Sequence, residues 1–408
     1  MVAFLKGNPR FLRYWISTWG SEIGDWIRNM VMMFIVLDLS GGSSVAFSIN
    51  MFCEFAPVFL FGFVVGVFAD RWRKKRTILG AILFRVVMMA LLIAAIVWQS
   101  LVMIYVISFV SAVGTLFFRA AAPAFTILFV PQEDRKTAAS LRQMSMSTML
   151  LIGSPIATLL YLKIGAAWSL GITAALYGLT WLLVQSVKVE ETLEQGKSQK
   201  SLAGVWSEMV EGFRYSWDSR VLRPLMVSTV LFGFGAGLIT VLEIFITTDF
   251  LGLPKEMMGA LVTVQGIGML LASLFMPKIK LSMQRFVSWG MVIMGLGLGG
   301  MVAYPSLYAT AAALLVFSLG QIGLNIGMAT LMQTRVKFEY QGRSMMTINT
   351  IANGFQVLAM FSAGWLNDFF TVQPVVAAGG LLMAFGGVVC AMMFRADVET
   401  PEAANQAS

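Results

Sequence analysis

Gly66-Val67-Phe68-Ala69-Asp70-Arg71-Trp72-Arg73-Lys74-Lys75-Arg76 is a short basic stretch between two apolar runs, 45 to 68 and 77 to 98. Each run is long enough to cross a bilayer as a helix, which takes about 20 predominantly apolar residues. The cations packed between them mark the membrane face at which the chain turns, and cytoplasmic loops are the ones enriched in Lys and Arg. Outward from this turn the alternation continues in both directions. Apolar segments fall at 12 to 37, 45 to 68, 77 to 98, 101 to 121, 138 to 162, 167 to 186, 223 to 249, 257 to 276, 285 to 303, 306 to 330, 345 to 367 and 373 to 394. They predict an all-α integral membrane protein with twelve transmembrane helices.

Composition agrees with a lipid-facing surface. Hydrophobic residues make up 58% of the 408 and charged residues only 12%, against about 25% charged in soluble domains. The start, MVAFLKGNPRFLRYW, is basic and then apolar, but no small-residue cleavage site follows, so the first helix is expected to be retained. Cys53 and Cys390 sit alone in apolar runs and read as small packing residues. Histidine is absent, which removes the usual zinc ligand, the neutral-pH base and a Ser-His-Asp triad. Proton chemistry must then use carboxylates, and no metal site is expected.

The basic residues orient the chain. With the N-terminus inside, all but four of the 29 lysines and arginines fall on the inner side; Lys163 and Lys255 lie outside, and Arg28 and Arg85 lie within spans. Both termini are therefore expected to be cytoplasmic. The net charge of +8 follows from inner loops beside anionic headgroups, with no nucleic acid partner. The longest polar stretch, 187 to 222, divides the segments six and six. Its second half, LAGVWSEMVEGFRYSW, repeats apolar residues at helical spacing, as an amphipathic helix on the membrane face would. The expected organisation is a six-helix bundle over 1–186, a cytoplasmic connector over 187–222, a second bundle over 223–394 and a polar tail over 395–408. Two such bundles around a central path are the arrangement of many transporters.

The stretch from Gly66 through Asp70 and Arg71 to Arg73, Lys74, Lys75 and Arg76 resembles the G-x-x-x-D-R-x-x-R-R loop signature of the major facilitator superfamily. Its glycine permits close helix approach, its aspartate can pair with a neighbouring helix end, and its cations hold the loop at the cytoplasmic face, so the whole is expected to act in gating. Further segments resemble the drug:proton antiporter branch, which includes macrolide efflux proteins. They are Asn8-Pro9-Arg10-Phe11, Ser21-Glu22-Ile23-Gly24-Asp25, Phe118-Arg119-Ala120-Ala121-Ala122-Pro123, Ala139-Ser140-Leu141, Glu211-Gly212-Phe213-Arg214-Tyr215, Gln333 and Gly342-Arg343. Two positions depart from that branch. Its fifth-helix signature, built around an adjacent Gly-Pro, stands here as Gly153-Ser154-Pro155-Ile156-Ala157, and Glu243 stands where relatives often carry proline.

Charges inside spans are expensive and mark pathways. In the first span Thr18, Ser21, Glu22, Asp25, Arg28 and Asn29 share an arc of about 120° on a helix, with Ile16, Ile23, Ile27 and Phe34 facing away. This is a polar stripe toward the bundle interior. Asn50 and Glu54 follow in the second span, Arg85 in the third and Glu243 in the seventh. Burial disfavours a charged carboxylate and an adjacent arginine favours it. Asp25 is the first candidate for a coupling proton site, with Glu22 and Glu54 as partners and Arg28 or Arg85 as counter-charge. The plainer alternative is a fixed pair between Asp25 and Arg28, three residues apart. About 20 residues into its span, Glu243 is placed either in the pathway or at the outer rim. Trp15, Trp19, Trp26, Met30, Met32 and Met33 suit either an adaptable binding surface or lipid contact.

These features predict a secondary active transporter, not an enzyme, that exports drug- or macrolide-like amphipathic molecules by proton-coupled antiport across a bacterial cytoplasmic membrane. The expected energy source is the proton gradient, with no cofactor. The expected partners are the amphipathic substrate and membrane lipid, with the chain acting as a monomer. A lysophospholipid or siderophore transporter is the alternative, ahead of a non-transporting sensor or membrane enzyme.

Overall fold

A computed structural model describes residues 2–189, 202–279 and 281–396. The first helices form where local chemistry starts and stops them. After a short helix α1 (Val2–Gly7), helix α2 (Pro9–Ser40) begins with proline in its first turn, where a missing N–H costs nothing and the fixed φ suits the helix. It ends at Gly41, whose φ of 65° is left-handed, a conformation open to glycine without a Cβ penalty. Ser43 then caps α3 (Ser44–Arg71) by accepting from the Ala46 N–H at 3.2 Å. Three residues between α2 and α3 force the two into a hairpin. Trp72 and Arg73 make the next turn, before α4 (Lys74–Val97), and Ser100 caps α5 (Leu101–Ile127).

Helix α6 (Arg135–Ser186) is 52 residues long. At about 1.5 Å per residue it would be about 78 Å if straight, far more than one membrane crossing. Gly165, with φ 76° and ψ 176°, bends it. The sequence separates two segments by a loop at 163 to 166; in the structure helical bonding resumes around one glycine, so the break is a kink.

The second half begins with α7 (Leu202–Asp218), followed by α8 (Leu222–Phe245), which runs into a π-helical turn, Ile246–Phe250. Then come α9 (Met258–Phe275), α10 (Met283–Gly300), α11 (Leu307–Arg335), α12 (Phe338–Phe370) and α13 (Val372–Ala396). Eight helical stretches among the described residues are long and apolar enough to cross a membrane; α2, α10 and α12 are outside that set. Helix α2 carries Glu22, Asp25 and Arg28, which lower its hydropathy where the chemistry is concentrated.

The chain divides into two compact units, Met1–Leu202 and Ala203–Ser408. In the first, α2 packs on α6, α4 on α5 and α6, and α3 on α5. In the second, α8 packs on α12 and α13, α10 on α11 and α13, and α9 on α11. With α6 counted as two segments, the pairing order repeats, as expected of an internally duplicated architecture. In the second unit close approach depends on small residues. A Cβ on Gly290 would lie 2.7 Å from the Leu324 nitrogen, and one on Gly320 would lie 2.5 Å from the Met294 nitrogen. Neither position of the α10–α11 interface accepts a side chain without parting the backbones.

The connector helix α7 makes specific contacts with the second bundle. Glu211 of α7 accepts from Arg343 Nη1 at 2.9 Å and from the Tyr340 hydroxyl at 3.0 Å, and Tyr215 stacks on Tyr340 with centroids 4.1 Å apart. A Cβ on Gly212 would stand 2.9 Å from the Arg343 Cβ. One face of α7 is thus docked on the start of α12, while Phe213 and Trp217 remain exposed and stacked on each other. The first half of the polar linker, 190–201, and the tail from 397 lie outside the described residues.

Candidate functional site

The polar stripe of α2 lies among the helices of the first unit, and its residues divide into two linked clusters. At the back is Arg85 of α4, whose side chain is 2% exposed. A guanidinium there needs every donor answered. It is ion-paired to Asp25, donates to the Ser21 hydroxyl at 2.9 Å and to the Tyr177 hydroxyl at 2.6 Å, and lies 4.0 Å from the Tyr177 ring centroid. Tyr177 in turn donates to Asp25 Oδ1 at 2.6 Å. Helices α2, α4 and α6 therefore meet at one carboxylate. Gly24 allows this, since a Cβ there would stand 2.7 Å from the Tyr177 ring.

The front cluster opens on a cavity of about 110 Å³ lined by Asp25, Arg28, Asn29, Glu54, Thr115 and Arg119, among others. Arg28 pairs with Glu54 at 2.5 Å and donates to Asn29 Oδ1 at 2.8 Å and to Ser111 Oγ at 3.3 Å. The expected alternative of an Asp25–Arg28 pair is not what forms: each has its partner on another helix, Arg85 for Asp25 and Glu54 for Arg28. The Asp25 side chain, 36% exposed, is the group common to the buried cluster and the cavity.

Other expected site residues sit apart. Glu22 lies one turn before Asp25, and its Oε2 is buried with no hydrogen-bond partner among the described residues. Asn50 is fully buried, accepting from Ser108 Oγ at 3.2 Å. Glu243 belongs to the second unit. It is only partly exposed, its Oε1 is buried and unpartnered, and its carbonyl accepts from Thr247 Oγ1 at 3.4 Å just before the π turn. That environment is unlike a solvated rim.

Sequence reasoning did not take Arg119 as a site residue, counting it among the inner-side cations at the closing end of a fourth span drawn to 121. It lies inside α5, which continues to Ile127, and it lines the cavity. Arg142, likewise counted among the inner-side cations, is two turns inside α6. Tyr177 was missed outright, since a lone tyrosine in an apolar span carries no signal until Arg85 is found beside it. Ile27 and Phe34, expected to face away from the interior, are 1% and 0% exposed. Helix α2 buries both sides because α6 covers the second. Met30, Met32 and Met33 are buried as well, packed among the helices of the first unit. The altered fifth-helix signature explains part of this packing: a Cβ on Gly153 would stand 2.5 Å from the Trp26 indole.

In the basic turn, Lys75 donates to the carbonyls of Gln185 at 2.9 Å and Val187 at 2.8 Å, and Arg13 reaches the Ser186 carbonyl at 3.5 Å. Cations at the unsatisfied carbonyl end of α6 are electrostatically favourable. Lys75 thus ties this turn to the end of α6. The side chains of Asp70 and Arg71, and any side-chain space at Gly66, lie outside the described residues, while Arg73, Lys74 and Arg76 stand at the start of α4.

Comparisons with known proteins agree with this arrangement of helices. Macrolide efflux protein A of Streptococcus pyogenes is 24% identical over 401 residues, covering 96% of this chain and 98% of that protein. The multidrug efflux pump Tap of Mycobacterium bovis is 24% identical over 245 residues, covering 59% of this chain and 57% of that protein. Among solved structures, a single-residue mutant of the nucleoside transporter NupG superimposes with a TM-score of 0.78 at 12% identity, covering 94% of this chain and 100% of that one. A bacterial homologue of the iron transporter ferroportin, in an inward-facing state, gives 0.77 at 13% identity, covering 95% and 98%. The model of the Major Facilitator Superfamily matches residues 14–353 and again 225–408, and the chain belongs to that superfamily of membrane transporters.

Proposed function

We propose that the protein is a proton-coupled antiporter that exports amphipathic or hydrophobic small molecules, drug- or macrolide-like, across the cytoplasmic membrane of a bacterium. Twelve spans with both termini cytoplasmic form two six-helix bundles that alternate access, drawing on the proton gradient and on no cofactor. The protein acts as a monomer in lipid.

The observation that carries the proposal is the position of Asp25, which lines the cavity and anchors the buried Arg85 and Tyr177. As a carboxylate it answers the Arg85 charge. Protonated, it no longer does, and α2 loses its strongest tie to α4. A proton arriving through the cavity is thereby converted into a change in helix packing, which is what coupling requires. Arg28 and Glu54 line the same space as an exchangeable pair, and Arg119 adds a cation beside them. Lys75 and Arg13 hold the end of α6 on the cytoplasmic side, contacts suited to forming and breaking with the cycle. The likeness to macrolide and multidrug efflux proteins supports the cargo class.

The test separates binding from coupling. Purified wild-type protein and Asp25→Asn are reconstituted in vesicles, and movement of a macrolide or lipophilic dye is followed with and without an imposed pH gradient, beside equilibrium binding of the same compound. Gradient-driven transport should be lost with binding retained. Unchanged gradient-driven transport in Asp25→Asn overturns the role of Asp25.

A further inference from the structure

A second cavity of the first unit is larger than the one at Asp25. It is a trough of about 620 Å³ between α4 and α5, with Arg73 and Arg76 at one end and Gly80, Phe84, Val113 and Phe117 along it. From Arg73 to Phe84 the helix advances about 16 Å at 1.5 Å per residue, the depth of one leaflet of a hydrocarbon core of about 30 Å. The apolar part is shaped by its residues. Gly80 opens the trough, since a Cβ there would meet nothing within 4 Å, and Trp72 stacks on Phe117 at its basic end with centroids 5.4 Å apart. Gly114 lets the Phe84 ring lie flat against α5.

The basic end is unbalanced. Arg73 and Arg76 are exposed and have no carboxylate partner among the described residues. They stand at the positive end of α4, whose first turn holds no acidic residue and whose Arg73 cap makes no side-chain bond. Cations at a helix N-terminus are unfavourable unless an anion lies between them. A tryptophan at the same level suits the headgroup region.

The geometry points to a binding site for one anionic phospholipid of the cytoplasmic leaflet. Its phosphate rests between Arg73 and Arg76, and one acyl chain lies along the trough. The site is separate from the transport cavity and rests only on the chain crossing a membrane, with this turn at the cytoplasmic face. Charge complementarity selects an anionic headgroup, while a trough one leaflet deep selects a membrane lipid over a water-soluble phosphate. Each arginine near a lipid phosphate is worth about fivefold in affinity, so two give about 30-fold.

The full chain in detergent is titrated with dioleoyl-phosphatidylglycerol or dioleoyl-phosphatidylcholine, and retained lipid is counted by native mass spectrometry. Wild type should retain one phosphatidylglycerol about 30-fold more tightly than phosphatidylcholine. The variant R73Q/R76Q should bind both equally, because the exposed arginines can be replaced without touching the core. Gly80→Leu fills empty space and raises helix propensity, and should lose both lipids while melting no lower than wild type. Equal retention of the two lipids by wild type overturns the site, as does an intact preference in R73Q/R76Q. So does undiminished phosphatidylglycerol binding by Gly80→Leu, or a dimer that this variant alone dissociates, which would make the trough a contact between copies.

Discussion

Replacing Asp25 with Asn should destabilise the protein more than replacing Arg85 with Met, although both break the same ion pair. The asymmetry comes from where each charge is left. After Asp25→Asn, the guanidinium of Arg85 stays in a site where its side chain is 2% exposed, with only neutral oxygens to answer it, the new amide oxygen beside those of Ser21 at 2.9 Å and Tyr177 at 2.6 Å. Stranding one member of a buried pair costs about 3–5 kcal/mol, and the two remaining acceptors place this case near 3. After Arg85→Met, the carboxylate keeps the Tyr177 hydroxyl at 2.6 Å and reaches the cavity with 36% of its side chain exposed. Its loss is that of hydrogen bonds to a charged group, about 1.5–3 kcal/mol, with hydration holding it near 1.5. Removing both charges strands neither, so the double variant should recover about 2 kcal/mol relative to the sum. Reversible unfolding of the four proteins in one detergent at pH 7, followed by intrinsic fluorescence, gives the cycle. Additivity within about 0.5 kcal/mol, or a larger loss for Arg85→Met than for Asp25→Asn, would refute the account.

Tyr177→Phe removes the hydroxyl that bridges Asp25 and Arg85 without changing ring volume, and should cost about 1–3 kcal/mol in the same assay; Gly24→Val should cost at least as much by pushing that ring away. At the connector, Glu211→Gln should shift the melting temperature little, because the Glu211–Arg343 side chains are 51% and 33% exposed and such pairs are worth about 0–1 kcal/mol. Gly212→Leu should instead release α7 from α12, seen as accelerated proteolysis within 202–218, since its side chain meets the Arg343 Cβ.

Much of the fold was legible because membrane segments announce themselves by length and because short polar turns leave the chain few alternatives. The break between the segments 12 to 37 and 45 to 68 and the basic stretch at 71 to 76 were readable for that reason. The end of the fourth span was not: drawn at 121, it leaves Arg119 at the closing end beside the inner loop, and only the continuation of α5 to Ile127 draws it inside. The stripe on α2 was legible because a helix fixes the angular relation of residues 18 to 29. Pairing between helices is set by depth and rotation, which sequence spacing does not contain, so the i, i+3 neighbours Asp25 and Arg28 were natural partners on paper. Tyr177 was invisible for the same reason, lying 152 residues from Asp25 in the chain.

The two units use the same pairing of helices but hold it with different forces. In the first, Glu22, Asp25, Arg28, Glu54, Arg85, Arg119 and Arg142 all lie away from the ends of their helices, and two of the contacts between helices are ion pairs. In the second unit Glu243 stands just before the π turn of α8, the Glu211–Arg343 pair ties the connector to the start of α12, and contacts such as Gly290 with Leu324 bring backbones together through glycine. These forces respond differently to a ligand. Glycine packing depends on shape and changes only when the helices part, whereas an ion pair is altered directly by a proton or by a cargo charge that competes for one partner. A proton can therefore act on the α2–α4 contact and has no comparable handle on α10–α11. In the proposed antiport the proton acts in the first unit, and Glu243 beside the π turn of α8, whose Oε1 is buried without a hydrogen-bond partner among the described residues, is the carboxylate through which the second unit could answer.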